Sequence, residues 1–251
     1  MTRPVLHVVD DVADIWVPRF VAACHHAVAE RGRFVVALAG GGTPLEGYRR
    51  LRERRDLPWE RVWLTWGDER DVPRTHADRN ERAAREALLD HVPLAPGHVL
   101  AWPYGPDPDA SAEAHARTLH ELFGDPLDLD LALLGLGADA HTASLFPGTG
   151  AAAASGTTTV VRPDPHGPAR LSLTGSALSR AREAWVLVVG ADKRQALART
   201  LAAFPAATDA EAAAPDADAV DALPLTAVRP REALLVFADP AAAGRAATEA
   251  S

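Results

Sequence analysis

The chain has a single cysteine, Cys24, in 251 residues. One thiol forms no intrachain disulfide and cannot build a multi-cysteine zinc or iron–sulfur site within one chain. No apolar run approaches the roughly 18 to 20 residues that a membrane span needs. Met1 to Asp10 also lacks the basic-then-apolar pattern of a secretion signal. A soluble, cytoplasmic protein without a membrane partner is the expectation. Positive charge is short as well, with 26 Lys and Arg against 34 Asp and Glu and a net charge of −8. That is the wrong sign for a broad phosphate-gripping surface, so no nucleic-acid partner is expected and any anionic ligand must be held locally. No His-Glu-x-x-His spacing occurs, and the adjacent His25 and His26 point to different helix faces, so no metal site is expected.

What is there belongs to a folded chain, since 47% hydrophobic and 24% charged residues exclude disorder as the main state. Short apolar runs alternate with segments of helical period, the pattern of an α/β domain with a mainly parallel sheet. The predicted strands are residues 34–39, 62–66, 129–134, 170–174, 184–189 and 233–238, with 99–102 as a weaker candidate. Several are apolar on both faces, which suits strands covered by helices on both sides. Helices are predicted over 12–30, 44–54, 79–89, 111–123 and 193–203, the first capped by Asp10 or Asp11. The alanine-rich stretches 151–158 and 205–222 read as surface loops or frayed helix, and the tail after Pro240 as a short loose helix or disorder. No linker or repeat interrupts the alternation, so one domain over 1–251 is expected.

Four segments could carry chemistry. Gly40-Gly41-Gly42-Thr43-Pro44 follows a predicted strand and opens a predicted helix. Glycines bring amide N–H groups close to a ligand, and a helix N-terminus favours an anion. The same residues also suit a plain tight turn. Gly67-Asp68-Glu69-Arg70-Asp71 follows a second strand, where ligands gather at the carboxyl edge of a parallel sheet. Arg70 could clamp a phosphate or carboxylate there, or the cluster could be solvated charge. Asn80 could cap a helix or face a ligand.

Leu134-Gly135-Leu136-Gly137-Ala138-Asp139-Ala140-His141-Thr142-Ala143-Ser144 follows a third strand and holds the best catalytic candidate. Histidine has a reference pKa of about 6.5, so near neutral pH His141 can take a proton from water, with Asp139 close enough in sequence to orient it. Finally, Arg170 at a strand start and Lys193 after Gly190 each offer one cation, either converging on a phosphate or simply solvated.

In this order the segments GGGTP, GDERDV with Asn80, GLGADAHTASLFPG, RLSLT and GADK resemble the 6-phosphogluconolactonase family over nearly the whole chain. The resemblance implies a three-layer α/β fold shared with glucosamine-6-phosphate deaminases and ribose-5-phosphate isomerases. It also implies hydrolysis of 6-phospho-D-glucono-1,5-lactone without metal or organic cofactor. By matching position, His141 is the implied base with Asp139 beside it. Gly41, Gly42, Thr43, Asp68 and Asn80 are the implied ligand-lining positions, Arg70 approaches the lactone oxygen, and Arg170 and Lys193 hold the phosphate. Two positions depart from the family's pattern. Ala140 stands where glycine is usual, and a backbone conformation that alanine tolerates is expected there. Gly42 stands where serine is common, leaving the backbone amides and Thr43 to meet the ligand. A sugar-phosphate deaminase or isomerase, or a non-catalytic sugar-phosphate sensor, are the competing readings, since fold alone does not separate them.

Overall fold

In the computed structural model, which describes residues 3–204 and 217–244, every residue of one strand, Phe34–Leu38, is buried. Successive side chains of a strand point to opposite faces, so this strand is covered on both sides. It is β2 of a six-stranded, all-parallel sheet. The others are β1 (Val5–Val8), β3 (Val62–Trp66), β5 (Leu129–Gly135), β8 (Ala181–Val188) and β9 (Ala233–Ala238), ordered β1-β9-β8-β5-β2-β3. A second sheet is antiparallel and three-stranded, with order β4-β7-β6 over Asp68–Arg70, Arg170–Leu173 and Thr158–Val161.

From β2 the chain moves outward to β3, whereas from β5 it moves the other way to β8 and then β9. The carboxyl ends of β2 and β5 therefore flank the point where the winding reverses. Ligand crevices form at such points, because the loops leaving the two strands part there. Gly67 ties the two sheets together. Its amide donates to the Leu38 carbonyl at 3.0 Å, and its carbonyl accepts from Leu173 N at 2.8 Å.

Helix α1 (Val12–Arg31) starts where Asp11 accepts the Ala13 amide at 2.8 Å and stops at Gly32, which turns left-handed at φ 73°. Its face of Trp16, Phe20 and Cys24 is buried at 0–1% exposure, and α2 (Leu45–Arg52) packs against it. Helices α3 (Asn80–Ala87) and α6 (Arg194–Ala202) lie within two residues of their expected bounds, and α4 (Pro108–Phe123) begins three residues earlier than expected.

Several expectations change. The strand expected at 170–174 belongs to the small antiparallel sheet and not the parallel one. Residues 99–102 form no strand; Val99 makes one isolated bridge to Leu64. Strands β1, β4 and β6 were not anticipated, being short and polar or placed at a sheet edge. The alanine-rich stretch at 151 is not all surface, since Ala151 and Ala152 are buried in a short 3-10 turn. Ala217–Ala222 is a helix, α7, with Val220 buried, while residues 205–216 of that stretch lie outside the described residues. After Gly175–Leu178 (α5) and α7, the last described helix is α8 (Pro240–Ala243), capped by Asp239 through the Ala242 amide at 2.8 Å. The tail beyond Gly244 lies outside the described residues.

Candidate active site

A cavity of about 230 Å³ opens between the carboxyl ends of β2 and β5. The loop after β2 supplies Gly40 to Thr43, and the loop after β5 supplies Gly137, His141 and Ala143. Asp68 and Arg70 reach it from β4, Asn80 from the start of α3, and Lys193 from the turn before α6.

His141 Nδ1 lies 2.6 Å from Asp139 Oδ1, and the same oxygen accepts the His141 amide at 3.1 Å. Partial burial of Asp139 works against ionisation. The hydrogen bonds and charge of His141 outweigh it and hold the carboxyl below the usual range. An ionised carboxylate only accepts, so Nδ1 carries the proton and Nε2 of the neutral ring is the free base. Gly137 makes this possible, because a Cβ there would stand 2.2 Å from His141 Nδ1 and 2.4 Å from Asp139 Oδ1.

The backbone between the two is not relaxed. Ala140 sits at φ 78° and Ala143 at φ 47°, so the expectation that Ala140 adopts an ordinary conformation is wrong. Its Cβ meets the neighbouring carbonyl there, at a cost of roughly 1–2 kcal/mol. The turn closed by Ala140 N on the Gly137 carbonyl at 3.0 Å, with Gly137 N on the His141 carbonyl at 2.8 Å, imposes it.

The Asp-Glu-Arg segment is not solvated charge. Glu69 is 0% exposed and accepts three amides: Arg70 and Asn80 on Oε1 at 2.8 and 2.7 Å, and Glu81 on Oε2 at 2.8 Å. It thereby closes the start of α3, a task expected of Asn80 if that residue were a cap. Asn80 is instead the first helical residue, and its Nδ2 donates to the Asp68 carbonyl at 2.9 Å. Gly40 leaves room for it, since a Cβ there would fall 2.1 Å from Asn80 Oδ1. Behind Glu69 lies fully buried Arg79, which donates to the Val72 carbonyl at 2.8 Å and to the Trp102 carbonyl.

Arg170 stands directly across the β4–β7 pair from Arg70. Of the two candidate phosphate holders, Lys193 lines the cavity directly, while Arg170 stands beside it, behind the lining residues Arg70 and Asp68. Desolvation, then the charge of Arg70, push the Arg170 guanidinium below its usual range, and its buried Nε has no hydrogen-bond partner among the described residues. Like charges facing each other across a β pair are destabilising, which makes this corner receptive to an anion. Lys193 is the only lysine among the 26 basic residues. In a chain that otherwise uses arginine, one compact point charge is kept at the cavity wall. Its Nζ lies 3.1 Å from Asp192.

Two residues outside the sequence-derived set take part in this frame: Glu69 and Ser144, whose hydroxyl donates to Asp68 Oδ2 at 2.5 Å. Both lie inside segments singled out in the sequence, but nothing in a linear reading shows that they face inward. Among the described residues, no group of three or more His, Cys, Asp or Glu could hold a metal ion, and no helix is long and apolar enough to cross a membrane.

The chain and its fold are similar to known proteins. Residues 9–236 match the family described as glucosamine-6-phosphate isomerases/6-phosphogluconolactonase. A 6-phosphogluconolactonase of Synechocystis is 41% identical over 181 residues, covering 70% of this chain and 75% of the relative. One from Mycobacterium leprae is 37% identical over 201 residues, covering 76% and 81%. The crystal structure of 6-phosphogluconolactonase from Thermotoga maritima superposes with a TM-score of 0.81 at 26% identity, over 94% of this chain and 100% of that one. A monomeric glucosamine-6-phosphate deaminase, at 18% identity and a TM-score of 0.77, shares the fold. The chain belongs to the glucosamine-6-phosphate isomerase/6-phosphogluconolactonase family.

Proposed function

We propose that the chain is a 6-phosphogluconolactonase, hydrolysing 6-phospho-D-glucono-1,5-lactone to 6-phosphogluconate, a step of the oxidative pentose phosphate pathway. The observation that carries this is the Asp139–His141 pair at 2.6 Å, which leaves Nε2 free beside a cavity lined by Arg70 and Lys193. Relatives of that name at 37% and 41% identity support it.

A six-membered lactone is an activated ester and needs a positioned water, a base and stabilisation of the carbonyl oxygen, not a covalent nucleophile. His141 Nε2 takes a proton from water as the water oxygen bonds to the lactone carbonyl carbon. Asp139 steadies the imidazolium. Arg70, with Arg170 behind it, offsets the charge developing on the carbonyl oxygen. Collapse breaks the bond from that carbon to the ring oxygen, which receives the imidazolium proton and becomes a hydroxyl. Gly41, Gly42, Thr43, Asp68 and Asn80 shape the sugar-facing wall. Lys193 holds the phosphate, and this remote contact orients the reacting carbon.

The test is decay of lactone generated fresh from glucose-6-phosphate, with spontaneous hydrolysis subtracted. Acceleration that is strong for the phosphorylated lactone and weak for gluconolactone is expected. A folded, phosphosugar-binding protein without acceleration would instead be a sensor, and ammonia release from glucosamine-6-phosphate would make it a deaminase.

A further inference from the structure

Asp68 lines the cavity, and the group that holds its carboxylate comes from the loop that carries His141. Ser144, three residues beyond His141, donates its hydroxyl proton to Asp68 Oδ2 at 2.5 Å. The Ser144 amide donates to Ser172 Oγ on β7 at 3.3 Å, and Ser172 donates its own hydroxyl proton to the Leu173 carbonyl at 2.9 Å. Ser144 and Ser172 are 2% and 0% exposed, and neither lines the cavity.

The proton directions follow from this arrangement. Ser172 has spent its one proton on Leu173, so toward Ser144 it only accepts. Ser144 Oγ has one proton, and a carboxylate can only accept it. A donor committed in this way favours the charged form of its partner.

The groups facing Asp68 divide into two kinds. Burial opposes ionisation and pushes the carboxyl up. The Ser144 hydrogen bond and the charges of Arg70 on β4, His141 on the loop after β5 and Arg170 on β7 work the other way. Both arginines have other demands on them, since Arg70 donates to the Asp78 carbonyl and Arg170 feels Asp78 and Glu69 as well. Asn80, from α3, holds the Asp68 carbonyl and not its carboxylate. Among the described residues, the Ser144 hydroxyl is the one direct hydrogen bond to that carboxylate.

We infer that Ser144 is a positioning residue for the hydrolysis. Its hydroxyl keeps Asp68 ionised and fixed within electrostatic reach of His141, where the carboxylate favours the imidazolium formed when His141 takes the proton from water. This rests on the lactonase reading. It also ties the two halves of the site together, because the same serine anchors the loop that begins with Asp139 to the strands that carry Arg70 and Arg170.

The experiment compares Ser144→Ala, Ser144→Cys and Ser144→Thr by two readouts. One is the NMR titration of the Asp68 carboxyl in the free protein, identified by its loss in Asp68→Asn. The other is the pH profile of kcat/KM for lactone hydrolysis. Removing a hydrogen bond to a charged group raises the proton affinity of Asp68 about tenfold. The alanine and cysteine variants therefore titrate at higher pH and lose activity at the acid end first, while threonine, which keeps the hydroxyl, behaves as the unmodified protein. An unmoved carboxyl titration, or a rate lowered equally at every pH, overturns the inference. Cysteine is close to serine in size, so it carries the test if alanine does not fold. If the unmodified protein does not hydrolyse the lactone, the functional reading fails, and the titration still decides whether Ser144 sets the charge of Asp68.

Discussion

At the amino-terminal edge of the parallel sheet, charges close into pairs with their opposites; at the carboxyl-terminal edge such pairs stand beside two arginines that face each other. At the first edge Arg182 lies 2.6 Å from both Glu30 and Glu232, Arg231 lies 2.7 Å from Asp128, and Arg31 contacts Asp130. At the second, Arg70 faces Arg170, two alanines are left-handed, and a carboxylate sits desolvated beside a cavity. The same residue types complete a fold at one end and leave it incomplete at the other. A fold that keeps strain and unbalanced charge needs a ligand to balance them, whereas paired charge needs nothing more.

This contrast can be broken from either side. The largest effect on stability is expected from Asp130→Ala at the amino-terminal edge. Asp130 is buried, accepts the Val35 amide at 2.7 Å and contacts Arg31. Removing it strands the buried Val35 amide and leaves Arg31 with Glu30 alone, at a cost of about 3 kcal/mol, read by urea unfolding, while KM of the folded enzyme stays unchanged. Lys193→Ala should do the reverse. Loss of one charge-assisted phosphate contact, about 2 kcal/mol, raises KM for the phosphorylated lactone about thirtyfold with stability unmoved. Gluconolactone hydrolysis should hardly change. The smallest effect is expected from Ala140→Gly, which relieves the left-handed strain and gives up one buried methyl. A net gain of roughly 0.5 kcal/mol, or a Tm higher by about 1–2 °C, is the expected outcome. A loss of stability would show that the loop is not strained at Ala140.

Most of the main sheet could be read from the sequence because β2, β3, β5, β8 and β9 are covered on both faces and so appear as continuous apolar runs. Asp68–Arg70 could not, since three charged residues form a strand only because β7 pairs with them. Val5–Val8 is an edge strand with too little burial to leave a pattern. In the site, Asp139 and His141 were legible because their contact is local, two residues apart. The pairing of Arg170 with Arg70 joins segments 100 residues apart through sheet register, which no local pattern encodes. The inward turn of Glu69 and Ser144 has the same origin. The left-handed Ala140 was missed because residue type argued against it, and the surrounding turn decided otherwise.

The central claim is that His141, oriented by Asp139, takes the proton from water. It is tested most directly by His141→Ala, assayed for decay of freshly generated 6-phosphogluconolactone alongside binding of 6-phosphogluconate. A positioned general base contributes about 10²–10⁴ in rate. The account predicts a fall of that size with product binding retained. Hydrolysis that survives in the folded variant at near the unmodified rate would contradict it.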